Sequence, residues 1–117
     1  MKTFTIPLAL ACFCLASPAT AERILTEEDF RAKVVGKSMT SADGATFKIH
    51  ANGKLTGSVG SKKFRGVWNW QSGYFCRNGN MAGKEIGSDC QVVEVDGDTV
   101  TNIRNQGKGK KAVFTLD

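Results

Sequence analysis

Side chains for metal binding and catalysis are scarce in this sequence. It has one histidine, His50, and four cysteines, none of them arranged as Cys-x-x-Cys. A zinc or redox centre built from nitrogen and sulfur donors therefore lacks ligands at suitable spacing. No metal site and no cofactor is expected. Nor is there an apolar run of the roughly 20 residues that a membrane-spanning helix needs; the uncharged apolar stretch from Phe4 to Ala16 falls short. The acids, 11 against 16 lysines and arginines, collect at a helix start and at turns, where charge is simply solvated. They offer no carboxylate pair for hydrolysis. His50 alternates onto the polar side of its strand with Lys48 and Lys54, and no partner makes it a general base.

Two nucleotide-like runs lack their context as well. Gly36-Lys37-Ser38 ends like a phosphate-binding loop, but Arg31 stands where its first glycine belongs and no strand precedes it. Gly107-Lys108-Gly109-Lys110-Lys111-Ala112 matches a dinucleotide fingerprint, yet too little chain follows for the helix and further βα unit that such a site requires. It reads as a basic hairpin loop. With Arg104 nearby, Lys108, Lys110 and Lys111 are candidates for weak contact with an anionic envelope surface.

What is present begins with a leader. Lys2, the apolar stretch and Ala19-Thr20-Ala21 have the layout of a signal peptide over residues 1–21, with cleavage before Glu22. Ala9-Leu10-Ala11-Cys12 fits a lipid-attachment box only loosely, because the apolar run continues through Phe13 and Leu15. Cys12 and Cys14 are expected to leave with the leader. The remainder is one β-rich domain over residues 22–117. Lys2 is the only charge removed, so the formal charge of +5 becomes 5 − 1 = +4. A periplasmic location is expected, and with it pairing of the two remaining cysteines, Cys76 and Cys90. Nucleic acid is not an expected partner there.

The local pattern then changes from helical to alternating. Thr26 can cap a helix over residues 27–35, with Glu27, Glu28 and Asp29 in its first turn, and Leu25 and Phe30 at the spacing of a hydrophobic staple. Gly36 can end it in a left-handed conformation. From Ala45 onward apolar residues recur every second position, with turn signals about ten residues apart. A three-residue loop, Ala51-Asn52-Gly53, pairs Ile49 with Leu55 and keeps apolar residues on one face. The same logic pairs Gly57 with Gly66 across a four-residue loop, leaving a gap that a large ring could fill. It pairs Trp68 with Cys76 across Gln71-Ser72-Gly73. Trp70, Tyr74 and Cys76 then face inward and Phe75 outward. Asp96-Gly97 reads as a two-residue turn that sets Val93 against Val100. The expected architecture is mainly β: a small antiparallel meander of seven to eight strands closing into a barrel or strongly curved sheet, with one N-terminal helix on an open end or an outer face.

The run GVWNWQSGYFCRNG, residues 66–79, carries the densest chemistry. Its aromatic rings and arginines suit a ligand pocket, and equally suit the core of a small disulfide-bearing domain. Trp68 reads chiefly as core packed on the bridge. Trp70, Tyr74, Arg77 and Arg65, with Trp68, are the candidate binding residues.

Several motifs together resemble small exported alphaproteobacterial proteins of unknown function. They are Thr26-Glu27-Glu28-Asp29-Phe30, Val35-Gly36-Lys37, Gly73-Tyr74-Phe75-Cys76-Arg77, Asp89-Cys90-Gln91-Val92-Val93 and Gly107-Lys108-Gly109-Lys110. The resemblance spans nearly all of residues 22–117. It implies export and cysteine pairing, and supplies no catalytic residue. Some of those relatives carry the label dihydrodipicolinate reductase. That enzyme family opens with a cytoplasmic nucleotide-binding βα unit, for which this pattern has no counterpart. The expected function is a non-enzymatic periplasmic binding or inhibitor-like domain, whose partner is a small ligand or an envelope protein. The alternatives are an enzyme, such as the one on that label, or an envelope structural or stress protein.

Overall fold

The computed structural model describes residues 20–117. The signal-peptide reading, with Cys12 and Cys14, lies outside the described residues except at Thr20 and Ala21. The described chain runs β1 (Glu22–Arg23), α1 (Glu27–Lys33), β2 (Ser38–Ser41), β3 (Thr46–Ile49), β4 (Lys54–Val59), β5 (Lys62–Gln71), β6 (Tyr74–Arg77), β7 (Asn80–Met81), β8 (Lys84–Glu85), β9 (Asp89–Asp96), β10 (Thr99–Ile103) and β11 (Lys111–Leu116). Eight strands, β2 to β6 and β9 to β11, form a closed antiparallel barrel. Each pairs with the next in this order, and β11 closes on β2 through Leu116↔Met39. The seam between β5 and β9 is held by β6, only four residues long. β1 extends the seam at one end by pairing with Glu94 and Val95. The β7–β8 hairpin extends it at the other by pairing with Phe64 and Arg65.

The helix begins as its sequence dictates. Thr26 is extended, and its hydroxyl accepts from the Asp29 amide at 3.2 Å. Arg31 and Lys33 pair with Glu27 and Asp29 one turn earlier. The helix stops two residues before the expected Val35, and Gly36 takes a φ of 85°. The expected staple does not form. Leu25 is 63% exposed, and Ile24, pinned by its amide to the Val93 carbonyl, is the residue that packs inward. The helix plugs one end of the barrel. Phe30, wholly buried, lies 5.4 Å from the Trp68 ring, 4.9 Å from Trp70 and 5.3 Å from Phe75.

Registers explain where side chains go. Ile49↔Leu55 and Phe47↔Gly57 are as expected. Between β4 and β5 the turn is Gly60-Ser61, two residues rather than four, so Gly57 faces Phe64 and Leu55 faces Gly66. The β9–β10 turn is Gly97-Asp98, which pairs Val95 with Val100 and Val93 with Asn102. Both differences are slips of two residues, which leave every side chain on its expected face. The β5–β6 turn differs by one. Ser72-Gly73 is a two-residue turn with φ of 50° and 86°, so Trp70 faces Phe75 and Asn69 faces Cys76. That odd step reverses β6. Phe75 enters the core at 2% exposure, while Tyr74 turns outward under Arg23, whose guanidinium lies 5.1 Å from its ring. Cys76 and Cys90 are paired residues of β6 and β9 and form the expected disulfide.

Two glycines are required by close approach. A Cβ on Gly57 would sit 2.6 Å from the Phe47 ring, and one on Gly66 would sit 2.3 Å from the Asn78 carbonyl oxygen. Gly57 makes the room in which Phe47 and Phe64 meet edge to face at 5.5 Å. The gap expected from pairing Gly57 with Gly66 does not form, because Gly57 faces Phe64 and the Phe47 and Phe64 rings fill the space over it. Gly66 lets the chain after β6 cross β5, where the Asn78 amide donates to Val67 and the Asn78 side chain accepts from it. The outer faces of Val92 and Ile103 are buried as well. The cover over Val92 is the turn after β10, where Gly107 lies against its side chain. Asn105 and Gln106, both at positive φ, coil that turn left-handed.

Candidate functional site

The barrel interior has two tiers. Toward α1 it is filled with apolar side chains, among them Met39, Ile49, Leu55, Val93 and Leu116. Away from α1 it opens into a cavity of about 470 Å³. Ligand cavities are commonly roughly 300–1,000 Å³, and eight-stranded barrels have room inside for side chains or one small ligand. Strand alternation sets the cavity's chemistry. On β3, β5 and β11, Phe47, Phe64 and Phe114 turn inward and form a chain of edge-to-face rings, Phe47 to Phe114 being 5.7 Å. On the neighbouring wall, β6, β9 and β10 present Arg77, Gln91 and Asn102 at the level where the inward residues change from apolar to polar.

A hydrogen-bond chain fixes how that polar wall points. The Asp89 carboxylate only accepts. It takes Gln91 Nε2 at 3.0 Å, the Asn105 amide at 3.0 Å and Arg104 Nε at 3.3 Å. Because Gln91 donates to Asp89, its Oε1 is left to accept, and it receives Asn102 Nδ2 at 3.1 Å. Asn102 therefore turns its Oδ1 away from the chain, buried and without a hydrogen-bond partner. Arg77 Nη1 is likewise buried and unpartnered. Its guanidinium lies 5.9 Å from the Phe64 ring centre. The wall thus carries one orphan donor with a positive charge and one orphan acceptor. Each is a group that costs free energy when left unmatched.

Charge follows the same pattern. Burial and the nearby Arg104 charge push the Arg77 pKa down, and Asp89 only partly opposes them. Asp89 feels burial raising its pKa, but the bonds from Gln91, Asn105 and Arg104 outweigh it and hold the carboxyl below its ordinary value. A depressed folded-state pKa gives stability that is present above the unfolded value, about 3.9. It is lost as the pH falls through the folded one. Asp89→Asn should therefore flatten the acid side of the stability profile. Thermal melts of both proteins between about pH 5 and pH 2 check this; equal falls in melting temperature would contradict it.

The structure separates the five residues singled out from the sequence. Arg77 alone reaches the cavity. Trp68 is core, donating from Nε1 to the His50 carbonyl at 2.8 Å, with the Arg31 guanidinium 5.0 Å from its ring. Trp70 is stacked on Phe30 under the helix. Tyr74 lies outside the barrel wall, and Arg65 is exposed on β5 opposite Thr56 and Asn80. The anticipated single aromatic and arginine surface is therefore not assembled: Tyr74 and Arg77, three positions apart on β6, point to opposite sides, and the reversed face sends Arg77 inward and Tyr74 outward. Gln91, Asn102 and Asp89 were not picked out by residue type. Their signal is positional: Val93-Gln91-Asp89 and Val100-Asn102-Arg104 each run from apolar to polar along one face. Comparison with known proteins finds no family model, no curated protein and no solved structure that matches the chain.

Proposed function

We propose that the protein is a non-enzymatic binding protein that acts outside the cytoplasm and holds one small, largely apolar ligand inside its barrel. The cavity carries the reading. It is a ring-lined space of about 470 Å³ in which two buried polar atoms of the lining residues, Arg77 Nη1 and Asn102 Oδ1, have no partner. Binding is favoured over catalysis because both carboxylates beside it are engaged and held below the ordinary carboxylate range, Asp89 by three donors and Asp43, in the cavity lining, by the Ser41 hydroxyl, which makes each a poor general base. Export is supported by the leader-like sequence and is compatible with the Cys76–Cys90 bridge.

The neutral fluorophore N-phenyl-1-naphthylamine tests the reading without relying on charge. Its emission should rise saturably at one molecule per chain, with micromolar affinity. Ala112→Trp, which places an indole into the cavity from β11, should abolish the rise while the melting temperature stays close to that of the parent. The absence of saturable binding by the parent, or undiminished binding by Ala112→Trp, would overturn the proposal.

A further inference from the structure

Resting on that cavity reading, we infer that the ligand is an apolar acid with a hydrogen-bond donor beside its carboxylate, the chemistry of a hydroxy acid or an N-acyl amino acid. The polar wall sets this requirement. Two guanidiniums, Arg77 and Arg104, face one carboxylate, and Arg104 is the one that pairs with it. Arg77 is left as a partly buried cation with an unused N–H. A carboxylate oxygen supplies both the charge and the acceptor that Arg77 lacks. An amine would meet a like charge in the same place.

The acceptor is equally informative. Asn102 cannot rotate its amide to offer an N–H, because Nδ2 is committed to Gln91 and Gln91 is committed to Asp89. A bare carboxylate would therefore leave Asn102 Oδ1 unmatched, whereas a neighbouring hydroxyl or amide N–H would satisfy it. Arg77 and Asn102 lie on β6 and β10, the two neighbours of β9, with Gln91 between them. Arg77 stands opposite Asp89 and Asn102 opposite Val93, so Gln91 separates them along β9, and both line the same cavity. The rest of the ligand rests on Phe47, Phe64 and Phe114. At about 30 Å³ per water-sized unit, the cavity has room for a body of roughly a dozen or more non-hydrogen atoms.

Displacement of N-phenyl-1-naphthylamine by a ten-carbon series separates the terms. 3-Hydroxydecanoate should displace best. Decanoate should be weaker by about threefold or more, 1-decanol by about tenfold or more, and decylamine weakest of all. Arg77→Gln should erase the preference for decanoate over decanol. Asn102→Leu should erase the preference for the hydroxy acid over decanoate. Thermal melts check that each variant is folded, and the series on the parent protein stands without them. If the fluorophore binds but the acid does not outcompete the alcohol, or the hydroxy acid does not outcompete the plain acid, this inference fails and the cavity reading survives. If the fluorophore does not bind, both fail.

Discussion

Phe30→Ala is expected to lower stability by about 3–5 kcal/mol, the range for removing a fully buried phenylalanine ring. For a domain of this size that corresponds to a melting temperature lower by about 12 °C or more. The size follows from what the ring does. It is wholly buried, contacts Trp68, Trp70 and Phe75 together, and is the main tie between the seven-residue helix and the barrel end. A helix this short is not stable alone, so losing the ring also loosens the plug. Phe30→Leu should retain much of the burial and fall between the two. Circular dichroism melts, followed in the near ultraviolet for the tryptophans, measure both. A fall under about 5 °C for alanine would show that the helix is not needed to close this end.

Removing the Cys76–Cys90 bridge should have the second largest effect. The bridge spans 14 residues of sequence, a loop worth about 3 kcal/mol in the chain-entropy account, or roughly 12–24 °C in melting temperature. Its position adds a local consequence. It joins β6 to β9 within one residue of both Arg77 and Asp89, at a seam where β6 offers only four residues of pairing. The Cys76→Ala/Cys90→Ala protein, or the parent under reductant, should melt lower and bind N-phenyl-1-naphthylamine more weakly. A drop in melting temperature below about 4 °C would mean that the seam holds without its covalent tie.

Much of the barrel was legible because alternation is a strict signal. For β3 and β4, a one-residue slip would have put Ile49 and Leu55 opposite polar residues, so the correct register could be chosen. For β4–β5 and β9–β10, slips of two residues preserve each face, and the apolar pattern cannot distinguish them. β6 was read with the wrong face inward because Tyr74, Phe75 and Cys76 are all plausible core residues. Only the Ser72-Gly73 turn, with both residues at positive φ, decides among them. The cavity was less legible for the same reason. With β6 reversed, Arg77 appeared on the outside, and the meeting of Gln91 and Asn102 depends on a β9–β10 register that the sequence leaves open by two. Trp68 is core, as its position suggested, and Trp70, chosen as a candidate binding residue, joins it in the floor of the barrel rather than at its opening.

The ring closes by joining its first strand to its last, through Leu116↔Met39 and a bond from the Asp117 amide to the Ser38 carbonyl. Nothing local rewards that step, so the circle stays broken until the whole span has been synthesised and both ends are free to meet. A chain clipped before Lys111 is not a slightly smaller vessel. It is an unrolled sheet with two bare margins, the arrangement most prone to recruit a second copy and clump.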